Sequence, residues 1–329
     1  MTGERPFREG SFRLEVETIG PQTVIHNYGH GGAGITMSQG CVQEVLRLAM
    51  LQQLQAPNNK VAVLGAGVMG MASALALKGA GLDVTLYAEA FTPHTTSDVA
   101  GGQWSPSVVS HGEETRFQRL LKDSYSRFVS AGPRYGVSFR DNYTFRPSME
   151  LSYAALSGAE PAERMRRLPF LDVTRGGYRY PTLLVEPPIY LKRMHGELRD
   201  AGVAFVRRSF SDSSQVGALD VATVVNCMGL GSRRVWQDPA LQARKGVLAM
   251  LPPQPELRYL YSGIGYMFPR ADHLVIGGSI EEEGTYDTVV SDEAKGRILV
   301  KIVRAVFQGA LPAPLWLSGL DRISDSDMR

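Results

Sequence analysis

The sequence predicts an α/β protein in which a helix-covered parallel sheet is joined to a second, α+β region built on a mixed or antiparallel sheet. Three observations predict it. Lys60–Tyr87 reads as a short apolar strand, a glycine-rich turn, a helix and a second strand, the order of a parallel βαβ unit. Tyr178–Val206 repeats that order: the apolar run LLVEP, a helix opened by Pro187 and Pro188 and running to Asp200, a stop at Ala201 and Gly202, and a strand at Val203–Val206. Finally, Lys245–Leu251, Tyr266–Phe268 and Leu274–Ile276 alternate as short strands, with a helix expected near 292–307 against them. A length of 329 residues suggests about two domains.

The first unit carries chemistry in its turn. After the strand Val61–Leu64 come Gly65, Ala66, Gly67, Val68, Met69 and Gly70, and then a helix to Lys78. Gly65 permits the tight turn, Gly67 lets the backbone approach a pyrophosphate, and Gly70 lets helix and strand pack closely. The helix amino end presents free N–H groups and the favourable end of its dipole to phosphates. The next strand, Asp83–Tyr87, ends at Glu89, about 24 residues after Gly65, where a carboxylate can accept hydrogen bonds from an adenosine ribose. Together these features predict a dinucleotide on a Rossmann-like domain. They do not choose between FAD and a nicotinamide cofactor.

Composition narrows the partners. Lys and Arg total 35 against 33 Asp and Glu, a net charge of +2, which gives no electrostatic reason to expect nucleic acid or a membrane. A small molecule is the expected partner. Cys41 and Cys227 are the only cysteines, too few for a disulfide framework and without the paired spacing of a zinc or iron–sulfur site. Cys227 lacks an activating basic neighbour and reads as a small buried apolar residue. No metal is expected, because His26 and His30 have no evident third ligand. The charged start, MTGERPFREG, lacks the apolar core of a signal peptide, and no stretch holds the roughly 18 apolar residues of a membrane span. A cytoplasmic location is expected.

Two further segments choose the cofactor. Phe91–Trp104 reads FTPHTTSDVAGGQW and Val24–Thr36 reads VIHNYGHGGAGIT, and both resemble signatures of the D-amino-acid oxidase family. The resemblance implies FAD. In that family the first segment touches the phosphates and the isoalloxazine ring, and the matching positions here are Thr96, Ser97, Gly102 and Gln103. The second is a strand running through glycines into a helix whose amino end faces the flavin; Gly31, Gly32, Gly34, Ile35 and Thr36 match it, with the helix continuing to about Leu54. Thr223–Gly229, TVVNCMG, resembles the strand that returns to the cofactor. Phe210 and Met228 match positions whose backbone contacts FAD.

Family order is altered. The VIHNYGHGG segment normally lies at the carboxyl end, yet here it precedes GAGVMG, with Gln55–Asn59 as a polar join. Joining residue 329 to residue 1 restores a run into the G-x-R-P segment, so the resemblance implies a circular permutant with Met1 and Arg329 close together. The expected division is 1–110 and 180–246 for the FAD domain, and 111–179 and 247–329 for the substrate domain.

Three residues carry over to the chemistry. Arg5, in GERP, matches the arginine that binds the substrate carboxylate in a two-pronged ion pair. Tyr266, in GYMFP, matches a tyrosine holding the same group, and Gly32 a glycine whose carbonyl accepts from the substrate amine. The implied activity is hydride removal from the α-carbon of an amino acid or related amine, giving an imine with O2 reduced to H2O2. Its partners are that substrate and O2, and a homodimer is compatible with the family. Ser262 stands where the family places another tyrosine, with Tyr261 expected to face the other way by strand alternation. Ala33 and Gln39 also replace aromatics, so a roomier pocket is expected. A nicotinamide-dependent dehydrogenase and a flavin-binding protein without oxidase activity are the alternatives.

Overall fold

A computed structural model describes residues 2–53, 58–146, 153, 158–168, 176–263 and 265–279, together with 293, 296, 297, 299, 300 and 304. The expected helix near 292–307 lies largely outside the described residues, as do both Met1 and Arg329, the two ends expected close together.

The smaller sheet has six strands. In chain order they are β2 (Arg13–Ile19), β3 (Gln22–Tyr28), β4 (Lys60–Leu64), β5 (Asp83–Ala88), β9 (Ala204–Arg207) and β10 (Thr223–Asn226), and in space β2-β3-β10-β4-β5-β9. All pairs are parallel except the β2–β3 hairpin. The central strands are apolar along their length because both faces are covered. On one side lie α1 (Gly34–Gln53), α2 (Val68–Gly79), α3 (Glu114–Ala131) and α4 (Pro187–Asp200), whose buried residues Val45, Met71, Leu120 and Leu191 share a core with Val61 and Val63. On the other, Ala62, Leu64 and Val224 pack against Phe210 and against Val216 and Val235, which lie on the short helices α5 (Ser213–Gly217) and α6 (Gly231–Val235).

The larger sheet contains β1 (Thr2–Arg8), β6 (Val137–Thr144), β7 (Glu163–Met165), β8 (Gly177–Val185), β11 (Leu241–Leu251), β12 (Tyr259–Ser262), β13 (Tyr266–Pro269) and β14 (Leu274–Ser279). Its order is β1-β11-β14-β13-β12-β6-β8-β7. Only β12–β6 is parallel, so of the mixed and antiparallel alternatives left by the alternating runs the sheet is mixed. The expected sequence boundaries do not track the sheets strand for strand. β1 falls within 1–110, yet its residues 2–8 pair antiparallel with β11, and most of β8 falls within 180–246 although it pairs with β6.

Two histidines are buried in the smaller sheet region. His26 on β3 bonds Glu17 on β2 through Nε2 at 2.9 Å and Asn226 on β10 through Nδ1 at 3.0 Å. His30 stacks on Phe12 with ring centroids 4.9 Å apart, its Nε2 3.5 Å from the Cys41 thiol. Burial disfavours the charged imidazolium, pushing His26 down to about 4 and His30 down to about 3. Both are therefore neutral in the folded state at pH 7 and regain an ordinary pKa near 6.5 on unfolding.

The sign follows: each folded pKa lies below its unfolded value, so the contribution to stability is full above about pH 6.5 and is lost as pH falls toward 4. Between pH 6.5 and 5 each histidine should remove on the order of 2 kcal/mol. Urea unfolding at these two values should reveal the loss, and His26→Gln should flatten the slope. Equal unfolding free energies at both values would contradict the neutral-histidine assignment.

Candidate active site

The site begins where the parallel strands end. β10 pairs in parallel with β3 on one side and β4 on the other, so the glycine runs that follow β3 and β4 emerge at the same sheet edge. They open into one cavity of about 760 Å³, within the ordinary range for small-molecule sites. Arg5, Gly31, Gly32, Gly34, Ile35, Thr36, Gly65, Ala66, Gly67, Val68 and Met69 line it, as do Glu89, Thr96, Ser97, Gly102, Gln103, Phe210, Met228 and Tyr266. Of the cofactor and substrate residues assigned from the sequence, Gly70 alone does not line the cavity. A Cβ there would meet the Gly65 carbonyl oxygen at 1.7 Å, so Gly70 serves the helix–strand approach. Ala33 and Gln39, expected to make the pocket roomier, do not line it either, Ala33 being buried in the core and Gln39 donating to the Tyr190 hydroxyl at 2.5 Å. Gly65 makes the turn itself, with φ at +100° and no room for a Cβ beside the Cys227 carbonyl. Cys227 is buried and its thiol is pushed up to about 12 by desolvation.

One end of the cavity suits phosphates and a ribose. The amino end of α2 enters it, and the Val68 N–H donates to Ser97 Oγ at 3.0 Å. The loop carrying Ser97 is held by buried Asp98, which accepts from the Thr95 N–H at 2.8 Å, the Thr95 hydroxyl at 2.6 Å and the Thr92 hydroxyl at 2.6 Å. Beyond β5, Glu89 accepts from the Ser209 hydroxyl and pairs with Arg234 at 3.4 Å. Arg234 also donates to the Phe210 carbonyl at 2.9 Å. Ser209 and Arg234 were not foreseen from the sequence, because they lie on the far side of β9 and reach Glu89 only through the fold.

The other end is built by the larger sheet. Arg5 on β1 donates to the Lys245 carbonyl at 3.3 Å and lies 3.5 Å from the Tyr266 hydroxyl. Gly246 leaves the space that the guanidinium fills, since a Cβ there would come within 2.5 Å of Nη1. No carboxylate among the described residues pairs with Arg5. Burial raises the Tyr266 pKa, with nearby Arg5 opposing the shift, so its hydroxyl keeps its proton at neutral pH. Tyr266 stacks on Phe268 with centroids 4.6 Å apart. Gly32 faces this region beneath the Ser107–Val108 segment, its N–H donating to the Val108 carbonyl at 3.0 Å.

The lining carries polar atoms that no protein group satisfies. Asn27 Oδ1 and Ser105 Oγ are buried without a hydrogen-bond partner among the described residues, and both residues line the cavity. Buried polar atoms are almost always paired, so these two are open to hydrogen bonds from a polar ligand in the cavity. Asn27 had a sequence signal, an amide within the apolar strand VIHNY.

The pattern of the DAO family, FAD dependent oxidoreductase, matches residues 60–325. The chain belongs to this family. The oxidoreductase is FAD-dependent, and a cavity with two glycine-lined helix starts, an acidic residue at one end and unpaired polar atoms along it fits that cofactor. The chain is 30% identical over 233 residues to a D-amino-acid oxidase of Rubrobacter xylanophilus, covering 68% of this chain and 70% of that one. It is 26% identical over 262 residues to a D-aspartate oxidase of Homo sapiens, covering 73% and 74%. Among solved structures, a glycine oxidase from Bacillus cereus superposes with a TM-score of 0.56 at 16% identity, over 75% of this chain and 77% of that one. An iminodiacetate oxidase from Chelativorans sp. BNC1 gives 0.54 at 15% identity over 76% and 78%. These likenesses show the fold. Among the described residues no helix is long and apolar enough to cross a membrane, and no cluster of three or more His, Cys, Asp or Glu could hold a metal.

Purified protein should release FAD into the supernatant on acid precipitation. Glu89→Ala should raise the Kd for FAD about 10-fold, the effect of losing a charge-assisted hydrogen bond, as read by quenching of flavin fluorescence. An unchanged Kd would remove Glu89 from the cofactor site.

Proposed function

We propose that this enzyme removes a hydride from the α-carbon of a D-amino acid, giving an imino acid that hydrolyses to a keto acid, with O2 reduced to H2O2. FAD supplies the hydride acceptor and the route for the electron pair to O2. The chain's own residues supply position. Arg5 holds the substrate carboxylate with its planar fork, the Tyr266 hydroxyl donates to the same group, and the Gly32 carbonyl accepts from the neutral amine. Three fixed points orient the α-hydrogen, which is where catalysis by positioning acts. The D-amino-acid and D-aspartate oxidases among the relatives support the substrate class and its configuration.

The observation that carries this reading is the pairing of Arg5 with Tyr266 at 3.5 Å, a cation without a described carboxylate partner facing the cavity that both glycine runs enter. Arg5→Met should lower kcat/KM on the best D-amino acid by on the order of 100-fold or more, the scale of losing a buried charge-assisted pair. Arg5→Lys should recover little of it. FAD content should stay at the parent's level, separating the loss from misfolding. Parent-like turnover by Arg5→Met would point to a plain amine instead.

We further propose that the chain order is a circular permutation of the family's. The family pattern begins at residue 60, while β1, β3 and the start of α1 supply Arg5 and the glycine run to the cavity lined by the matched part. A rearranged gene that starts near Asn59 and joins residue 329 to residue 1 should give protein that binds FAD with similar affinity. Aggregation of that product beside a well-behaved parent would count against the permutation.

A further inference from the structure

We propose that Ser262 reads the substrate side chain: its hydroxyl, held by Asn142, donates a hydrogen bond to an oxygen acceptor there. This rests on the amino-acid reading of the site and narrows its substrate class.

Position comes first. Ser262 and Tyr266 are direct partners across the β12–β13 ladder, so their side chains leave the same face with Cβ atoms about 5 Å apart. Both line the cavity, and the Tyr266 hydroxyl lies 3.5 Å from Arg5. A carboxylate held by Arg5 and Tyr266 therefore puts the rest of the substrate within reach of residue 262. Tyr261 does not fill this space, because alternation sends it to the opposite face, where it is buried with Leu168 and Met267.

Hydrogen bonding supplies the direction. Asn142 on β6 is fully buried and sits opposite Leu260 on β12, on the face shared with Ser262. Its Nδ2 donates to Ser262 Oγ at 2.8 Å and also faces the Tyr143 carbonyl at 3.5 Å. A donor is favoured over an acceptor against a carbonyl, which favours this orientation of the amide. Ser262 is thus an acceptor toward Asn142, and its own proton has no acceptor among the described residues. That proton is available to the cavity. Asn142 Oδ1 is buried without a partner, an arrangement that costs stability and that an apolar side chain would avoid. The donor presented to Ser262 is what the amide adds at this position.

The substrates implied are D-amino acids whose side chain carries a carbonyl or carboxylate oxygen. The test compares kcat/KM of the FAD-loaded enzyme on D-asparagine, D-aspartate and D-leucine, the last being of similar shape without the oxygen. The parent should favour at least one oxygen-bearing substrate over D-leucine, and Ser262→Ala should lower that ratio about 10-fold, mainly through KM. Asn142→Asp should act like Ser262→Ala, because a carboxylate at 142 takes the serine proton for itself, whereas a purely structural role for Asn142 would leave the substrate ratio unmoved. A ratio unchanged by Ser262→Ala, with D-leucine still oxidised, overturns this inference and leaves the amino-acid reading standing. Failure to oxidise any D-amino acid overturns both.

Discussion

The site depends on the hydrogen bonding of one short strand, β10, whose backbone pairs in parallel with β3 and β4 at once. Parallel neighbours end at the same edge of a sheet, so segments distant in the chain deliver their glycine turns and helix starts to one place. The register puts Asn226 beside both His26 and Leu64, just before the two turns begin. Val224 and Val225 are fully buried, each worth on the order of 1.5–3 kcal/mol, and they hold this strand between the two helix-covered faces. A slip of one residue would turn each side chain to the wrong face and separate the turns.

The cavity then needs both sheets. The glycine runs that line the cavity follow strands of the smaller sheet, while Arg5, Tyr266 and Ser262 come from the larger. Two isolated bridges tie the halves together, Phe7 with His30 and Gln103 with Leu184. The first fixes β1, and with it Arg5, beside the glycine run. The second fixes the Gly102–Gln103 turn against β8, where Val185 donates to the Gly102 carbonyl at 2.7 Å and Trp104 to the Leu183 carbonyl at 2.7 Å. Positioning catalysis asks for this kind of support, since reacting groups must be held closely by elements that do not themselves move.

Polar groups are distributed unequally. Around Glu44 the charges are closed on themselves, with Arg47 at 3.0 Å and Arg119 at 3.3 Å joining α1 to α3. Within the cavity they are left incomplete: Arg5 lacks a carboxylate, and Asn27 and Ser105 lack partners among the described residues. Unpaired buried polar atoms cost stability, and Asn27 and Ser105 stand where a bound ligand would complete them.

The sequence by itself determined the local units. The glycine spacing of GAGVMG required a tight turn into a helix, VIHNYGHGG required a strand into glycines, and the alternation of the later runs required short strands of a mixed or antiparallel sheet, because each depends on contacts between near neighbours. Glu89 and Arg5 were legible as chemical types at defined positions. Tertiary structure alone decided what meets them: Ser209 and Arg234 around Glu89, Gly246 making room for Arg5, and Asn142 behind Ser262. It also decided that β1 joins the larger sheet instead of the smaller. Those partners lie across strand pairings whose register is set by burial over the whole sheet, and no local pattern encodes a contact between residues that only the completed sheet brings together.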